Sequence, residues 1–293
     1  MNEWHSYHIF LFDGLLQEKL ICECIAPLMK EYLEKKAIEK WFFIRYWEGG
    51  PHVRLRFLGG ADVEEEITGR IKQFVDENKS DRVLAKEDYY RNHTFDGEAV
   101  DRDKLPWYEN NSIHAIAYER EYERYGGEVT IPVCESLFMS SSIMASDLIA
   151  ATRNNMGQRI SIALNLVIVF LYELEIKPEY FFFYYKDVWD KFFKYSELEG
   201  NFFGILNVRN RLSSIAEGMS SNPLYVKWID MICGDVSTLK EIWKDNPEKL
   251  YGIVISLVHM FNNRLGIIPD MERQISAQFT KEVEAMGHAM ENR

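Results

Sequence analysis

Three arginines sit in the most strand-like stretch of the chain, "WFFIRYWEGGPHVRLRF" (41–57). Side chains alternate faces along a strand, so Arg54 and Arg56 project together while Val53, Leu55 and Phe57 take the other face. Two guanidiniums side by side repel unless an anion lies between them. Either an Asp or Glu from a neighbouring element pairs with them, or they form a site for a carboxylate or phosphate, which the planar guanidinium fork suits. Arg45 precedes the turn on the partner strand and reads as a support. A second segment, "YEREYERYGG" (118–127), carries Arg120 and Arg124, which are neighbours if it is helical. Alone it reads as an ion-paired turn, in which Gly126 and Gly127 end regular structure and allow a ligand or strand to come close. A third, "SLVHMFNNRLG" (256–266), puts His259 in an apolar helical stretch, with Asn263 one turn later and Arg264 beside it. Such a histidine is ordinarily a satisfied core residue, but an imidazole can also remove or return a proton near neutrality.

Other chemistries lack their motifs. The sequence has no phosphate-cradling glycine loop, nucleophile elbow, H-E-x-x-H pair or dinucleotide fingerprint, which weakens kinase, protease and hydride-transfer readings. Cys22, Cys24, Cys134 and Cys233 include one C-x-C pair in a helical pattern, poor spacing for zinc, so they are expected to be buried, reduced thiols and no metal or cofactor is implied. With 46 Asp and Glu against 34 Lys and Arg, a net charge of −12 opposes general binding of nucleic acid or a membrane surface. No run of 18 uncharged apolar residues occurs, and the polar start "MNEWHSYH" is unlike a secretory signal, so a cytoplasmic address is expected.

These residues need elements to position them. "SYHIFLF" (6–12) reads as a strand and 15–37 as a helix that Pro27 kinks or divides. "KWFFIRYW" and "HVRLRFLG" form a hairpin around "EGGP", 61–80 a second helix opened by acidic residues, and "SIHAIAYE" (112–119) a last strand. That order is the ferredoxin-like split βαβ unit. The long connection before the last strand suits either a lid or an extra hairpin. From about Glu135 onward long helical patterns take over, giving an α+β chain in which the ferredoxin-like sheet unit (1–134) is followed by a mainly helical C-terminal half (135–293). "RYGGE" (124–128) and "NPLY" (222–225) are its turn signals.

The three motifs "FFIRYWEGGPHVRLRF", "YEREYERYGG" and "SLVHMFNNRLG", in this order, resemble the C-terminal elimination domain of lantibiotic dehydratases, also met as stand-alone "thiopeptide-type bacteriocin biosynthesis" proteins. The likeness spans essentially the whole chain, 1–293, as a single elimination-type domain. In that family a separate glutamylation domain uses glutamyl-tRNA to esterify Ser or Thr of a ribosomal precursor peptide. The elimination domain then removes glutamate, leaving dehydroalanine or dehydrobutyrine. The resemblance implies that Arg54 and Arg56 match the paired strand arginines, Arg124 the arginine before Tyr-Gly-Gly, and His259 the late catalytic histidine. It also implies a precursor (leader and core) peptide as substrate and a separate tRNA-dependent glutamylation protein as partner, and it is compatible with a homodimer.

Two features depart from the family pattern. Many relatives have proline where this chain has Arg120, and the connection before "SIHAIAYE" is longer than in the dehydratases. Thiopeptide pyridine synthases use the same scaffold for a formal [4+2] cycloaddition of two dehydroalanines with loss of the leader, and tend to lose the arginine and histidine set. Its retention favours elimination. A non-catalytic partner that binds a leader peptide is the third expectation, with an exposed sheet edge available for main-chain pairing.

Overall fold

The computed structural model describes residues 2–91, 101–194, 196 and 205–291. The chain divides into two compact units: Met1–Arg153 with Asn263–Leu265, and Asn154–Asn262 with Gly266–Arg293.

In the first unit, strands β1 (Glu3–Phe10), β2 (Ile38–Tyr46), β3 (His52–Gly59) and β4 (Ser112–Ala115) form a sheet in the order β2-β3-β1-β4. All neighbours run antiparallel, which is the order and direction of the split βαβ unit. The last strand is shorter than the 112–119 read from the sequence: beyond Ala115 only the Ile116 N–H still bonds back to β1, at the Ser6 carbonyl. The long connection contains helix α4 (Lys86–Arg91) and no hairpin among the described residues, with 92–100 outside them.

Pairing sets what each face carries. Arg56 lies opposite Ser6 and Phe42, Arg54 opposite His8 and Ile44, and His52 opposite Phe10 and Tyr46. One face is therefore polar and aromatic. The other carries Ile9, Phe43, Val53, Leu55 and Phe57, all fully buried. Helix α3 (Ala61–Glu77) lies on this apolar side, where its Glu64 meets His5 at 3.1 Å and accepts the Tyr7 hydroxyl hydrogen bond. The preceding helical region is α1 (Gly14–Lys19), a π-helical stretch (Leu20–Ile25) and α2 (Ala26–Glu34). Pro27 causes the interruption: without an N–H it cannot serve the carbonyl four residues back, and the Ala26 N–H instead reaches Ile21, five back.

The hairpin turn needs its glycines. Gly49 and Gly50 have φ of +89° and +111°, and a Cβ on Gly50 would lie 2.9 Å from the Phe12 ring. The outer edge of β2 is sealed by side chains. Ser142, on helix α5 (Ile131–Ala151), accepts from the Phe43 N–H at 3.1 Å, and Asn263 bonds both the N–H and the carbonyl of Arg45 at 2.9 Å.

The second unit is helical: α6 (Met156–Glu173), α7 (Pro178–Phe192), α8 (Val208–Gly218), α9 (Pro223–Trp243), α10 (Pro247–Leu265, whose last three residues group with the sheet) and α11 (Pro269–Glu291). Four of these begin on proline, whose missing N–H has no partner to lose at a first helical turn. Helices α5 and α6 are long and apolar enough to cross a bilayer, yet 67% and 56% of their most apolar windows are buried, as in core helices.

Candidate active site

The polar sheet face holds a cluster of buried guanidiniums. Arg56 is only 8% exposed, and no carboxylate or carbonyl among the described residues hydrogen-bonds it. Its guanidinium stacks on Tyr118 at 4.5 Å and faces Phe42 at 5.5 Å. Burial, helped by Arg54, lowers it to about 10 from an ordinary 12.5, so it remains charged at neutral pH. Across the sheet, Ser6 Oγ is likewise buried with no hydrogen-bond partner among the described residues.

Arg54 is held on three sides. Its Nε donates to His52 Nε2 at 3.1 Å, its plane lies 3.5 Å over Tyr46, and Glu48 is 4.0 Å from Nη2. Burial lowers it too, against Tyr46, Glu48 and Glu121. Arg264 is a further, fully buried guanidinium, 1% exposed, donating to Ser142 Oγ at 3.0 Å and brought to about 9 by burial, with Arg56 pushing the same way. Two histidines on this face add no charge: burial first, then the nearby arginines, lower His8 to about 2 and His52 to about 3.

The 118–127 segment closes the cluster as a turn, neither helix nor strand. The Gly127 N–H bonds the Tyr122 carbonyl at 2.7 Å, with Gly126 and Gly127 at φ of +83° and +89°. Arg120 leaves the cluster by binding Glu135 at 2.7 Å. Arg124 pairs with Glu121 at 3.0 Å, and Glu121 lies within electrostatic reach of Arg54 and Arg56 as well. Buried Tyr125, pushed up to about 12 by burial, is in reach of both Arg124 and Arg264. Arg54, Arg56 and Arg124 are thus brought together in one unit. Arg45 is elsewhere: it donates to the Arg264 carbonyl at 3.1 Å and lies 3.8 Å from Glu18.

His259 belongs to the helical unit, where its Nδ1 lies 2.7 Å from Glu272 Oε1. A carboxylate accepts, so Nδ1 carries the hydrogen and Nε2 is the nitrogen able to take a proton. The other oxygen of Glu272 accepts from Asn262 at 2.8 Å and from the Tyr185 hydroxyl, so the carboxylate is fixed and wholly buried. Trp189 meets the imidazole edge-on at 5.2 Å. This arrangement fixes the tautomer and the orientation of the imidazole.

With this geometry in view, the comparisons decide the family. Residues 4–283 match the family described as lantibiotic biosynthesis dehydratase C-term. The chain belongs to this family. No curated sequence is a significant match. Among solved structures, TsrL aligns over 97% of this chain and 96% of its own, at 17% identity and TM-score 0.66. TbtD, the pyridine synthase from thiomuracin biosynthesis, aligns over 95% and 96%, at 15% identity and TM-score 0.73. The tRNA-dependent lantibiotic dehydratase MibB from Microbispora sp. 107891 shares 16% identity and TM-score 0.58, covering 94% of this chain and 27% of that one. At these identities the likeness is one of fold.

Several of these residues escape a motif search. His52 stands two positions before Arg54, so period-two spacing alone places it on the arginine face. Arg264 and Glu272 carry no such signal, because their roles depend on helix packing.

Proposed function

We propose that this protein eliminates glutamate from glutamylated Ser or Thr side chains of a precursor peptide, as a carbon–oxygen lyase of the dehydratase type. The base takes the Cα proton, the Cα–Cβ double bond forms, the Cβ–O bond breaks, and the glutamyl ester departs as glutamate carboxylate. Arg54, Arg56 and Arg124 hold and stabilise that carboxylate, and His259 moves the proton. The observation that carries this reading is Arg56, a buried cation whose Nε has no hydrogen-bond partner among the described residues and which has a second guanidinium two residues away. Burying a charge unpaired is costly, and an arriving carboxylate relieves that cost. The substrate would be supplied by a tRNA-dependent glutamylation protein acting first on the same peptide.

The test mixes the protein with a glutamylated precursor peptide and follows product mass. Wild type should release glutamate, whereas Arg54→Ala, Arg124→Ala and His259→Ala should leave the ester intact. Wild-type turnover by all three variants would sink the assignment. Cyclisation of an already dehydrated peptide with loss of its leader would replace it with the pyridine-synthase reading, and tight peptide binding with unchanged mass would indicate a non-catalytic partner.

A further inference from the structure

We propose that His52 is the positioning residue of Arg54, fixing its guanidinium through a neutral imidazole anchored on the Gly50 carbonyl so that the terminal Nη pair meets the substrate carboxylate; the role in turnover rests on the elimination reading.

The tautomer follows from the partners. An arginine Nε always carries a hydrogen, so the His52 Nε2 at 3.1 Å accepts it. The ring hydrogen is then on Nδ1, which donates to the Gly50 carbonyl at 2.8 Å. That carbonyl is aimed by backbone at φ +111°, a conformation L side chains rarely adopt. The turn glycine, the imidazole and the guanidinium therefore form one chain of hydrogen bonds, with His52 wholly buried and Arg54 largely so. Stacking on Tyr46 sets the plane of the guanidinium while His52 sets its rotation within that plane.

The consequence concerns how a carboxylate is met. Arginine can bind one side-on, through Nε and one Nη, or end-on, through both Nη groups. With Nε committed to His52, Arg54 is left the end-on mode. Protonating His52 would set an N–H against the Arg54 N–H, and burial with the adjacent arginines keeps the ring neutral down to about pH 3. Fixing the fork beforehand also removes the rotational cost of ordering it around each substrate.

Two variants separate this role from mere packing. His52→Phe keeps a ring against His8 and Phe10 but has no acceptor, while the Gln of His52→Gln can accept from Arg54 and donate to Gly50. Should His52→Phe fail to fold, His52→Met serves the same arm. The NMR signal of the Arg54 Nε–H, assigned by its absence in Arg54→Lys, should be protected from exchange in wild type and His52→Gln and lost in His52→Phe. Turnover of a glutamylated peptide should fall about 10-fold in His52→Phe, the order expected for one hydrogen bond, and recover in His52→Gln. Residual turnover of Arg54→Lys, which keeps a cation but has no Nε–H, should not fall further when His52→Phe is added. A protected Nε–H in His52→Phe, or an equal loss in the Arg54→Lys background, would overturn the proposal. If wild type leaves the glutamylated peptide untouched, the elimination reading fails and the Nε–H signal alone decides the positioning.

Discussion

Replacing Arg56 with methionine should abolish turnover without destabilising the free protein. A buried arginine that belongs to an ion pair normally costs about 3–5 kcal/mol when the pair is broken, because the partner is left charged and buried. Arg56 has no such partner among the described residues, and its side chain is almost wholly out of water. A fall from 12.5 to about 10, at about 1.4 kcal/mol per tenfold change in protonation, means that its surroundings oppose the charge by on the order of 3 kcal/mol. Methionine removes that opposition and gives up stacking on Tyr118 and Phe42, worth about 0.5–2 kcal/mol for a desolvated cation. The net expectation for Arg56→Met is unchanged to about 2 kcal/mol greater stability, read as a midpoint in urea unfolding that stays or rises. Elimination, assayed by mass on the glutamylated peptide, should be lost in the same variant. A drop in stability of about 3 kcal/mol or more would refute the reasoning, since it would mean that Arg56 serves an internal anion rather than a substrate.

Three further expectations concern the supports. Glu272→Gln should lower kcat by about 10²-fold or more, because the imidazole loses the carboxylate that fixes its tautomer and orientation; unchanged kcat would remove His259 from proton transfer. Asn263→Ala removes both hydrogen bonds to the Arg45 backbone and should cost about 1–3 kcal/mol in urea unfolding, whereas a neutral result would show that the β2 edge needs no such seal. Burial alone would raise Glu282, but the N–H groups of Val208 and Leu206 and the Gln278 side chain hold it below its ordinary 4.5. Its contribution to stability is therefore full above about pH 4.5 and lost as pH falls through the lowered value, so Glu282→Gln should flatten the acid side of the stability profile.

How much of this could be read from sequence depends on the range of the interaction. The hairpin arginines were legible because period two needs only neighbouring residues, and the register places Arg54 and Arg56 on one face as that spacing requires. The split βαβ order was legible for the same reason, with strands and helices marked by local periodicity. "YEREYERYGG" was not: its charges admit helix or strand, and the Gly127 turn instead sends Arg120 to Glu135 and Arg124 to Glu121. Glu272 was invisible as a partner of His259. An acidic residue in the first turn of α11 reads as a match to the helix dipole, and only helix packing turns it toward an imidazole on α10. Pro27 announced an interruption, but its form as a π-helical stretch depends on carbonyls finding donors five residues on.

The two charged sets are built on opposite principles, and this bears on the reaction. In the sheet unit Arg56 is a cation whose Nε has no hydrogen-bond partner among the described residues, while its neighbours Arg120 and Arg124 have their carboxylates. In the helical unit Glu272 has donors on both carboxylate oxygens, which hold it in place to orient His259. An elimination uses both: a fixed cation for a carboxylate that gains full charge as it leaves, and an imidazole that alternates between protonation states. A cycloaddition of two dehydroalanines expels no carboxylate at its bond-forming step and gains nothing from a buried unpaired arginine. Keeping such a group in a chain of net charge −12, where carboxylates to neutralise it are plentiful, favours a substrate that brings its own anion.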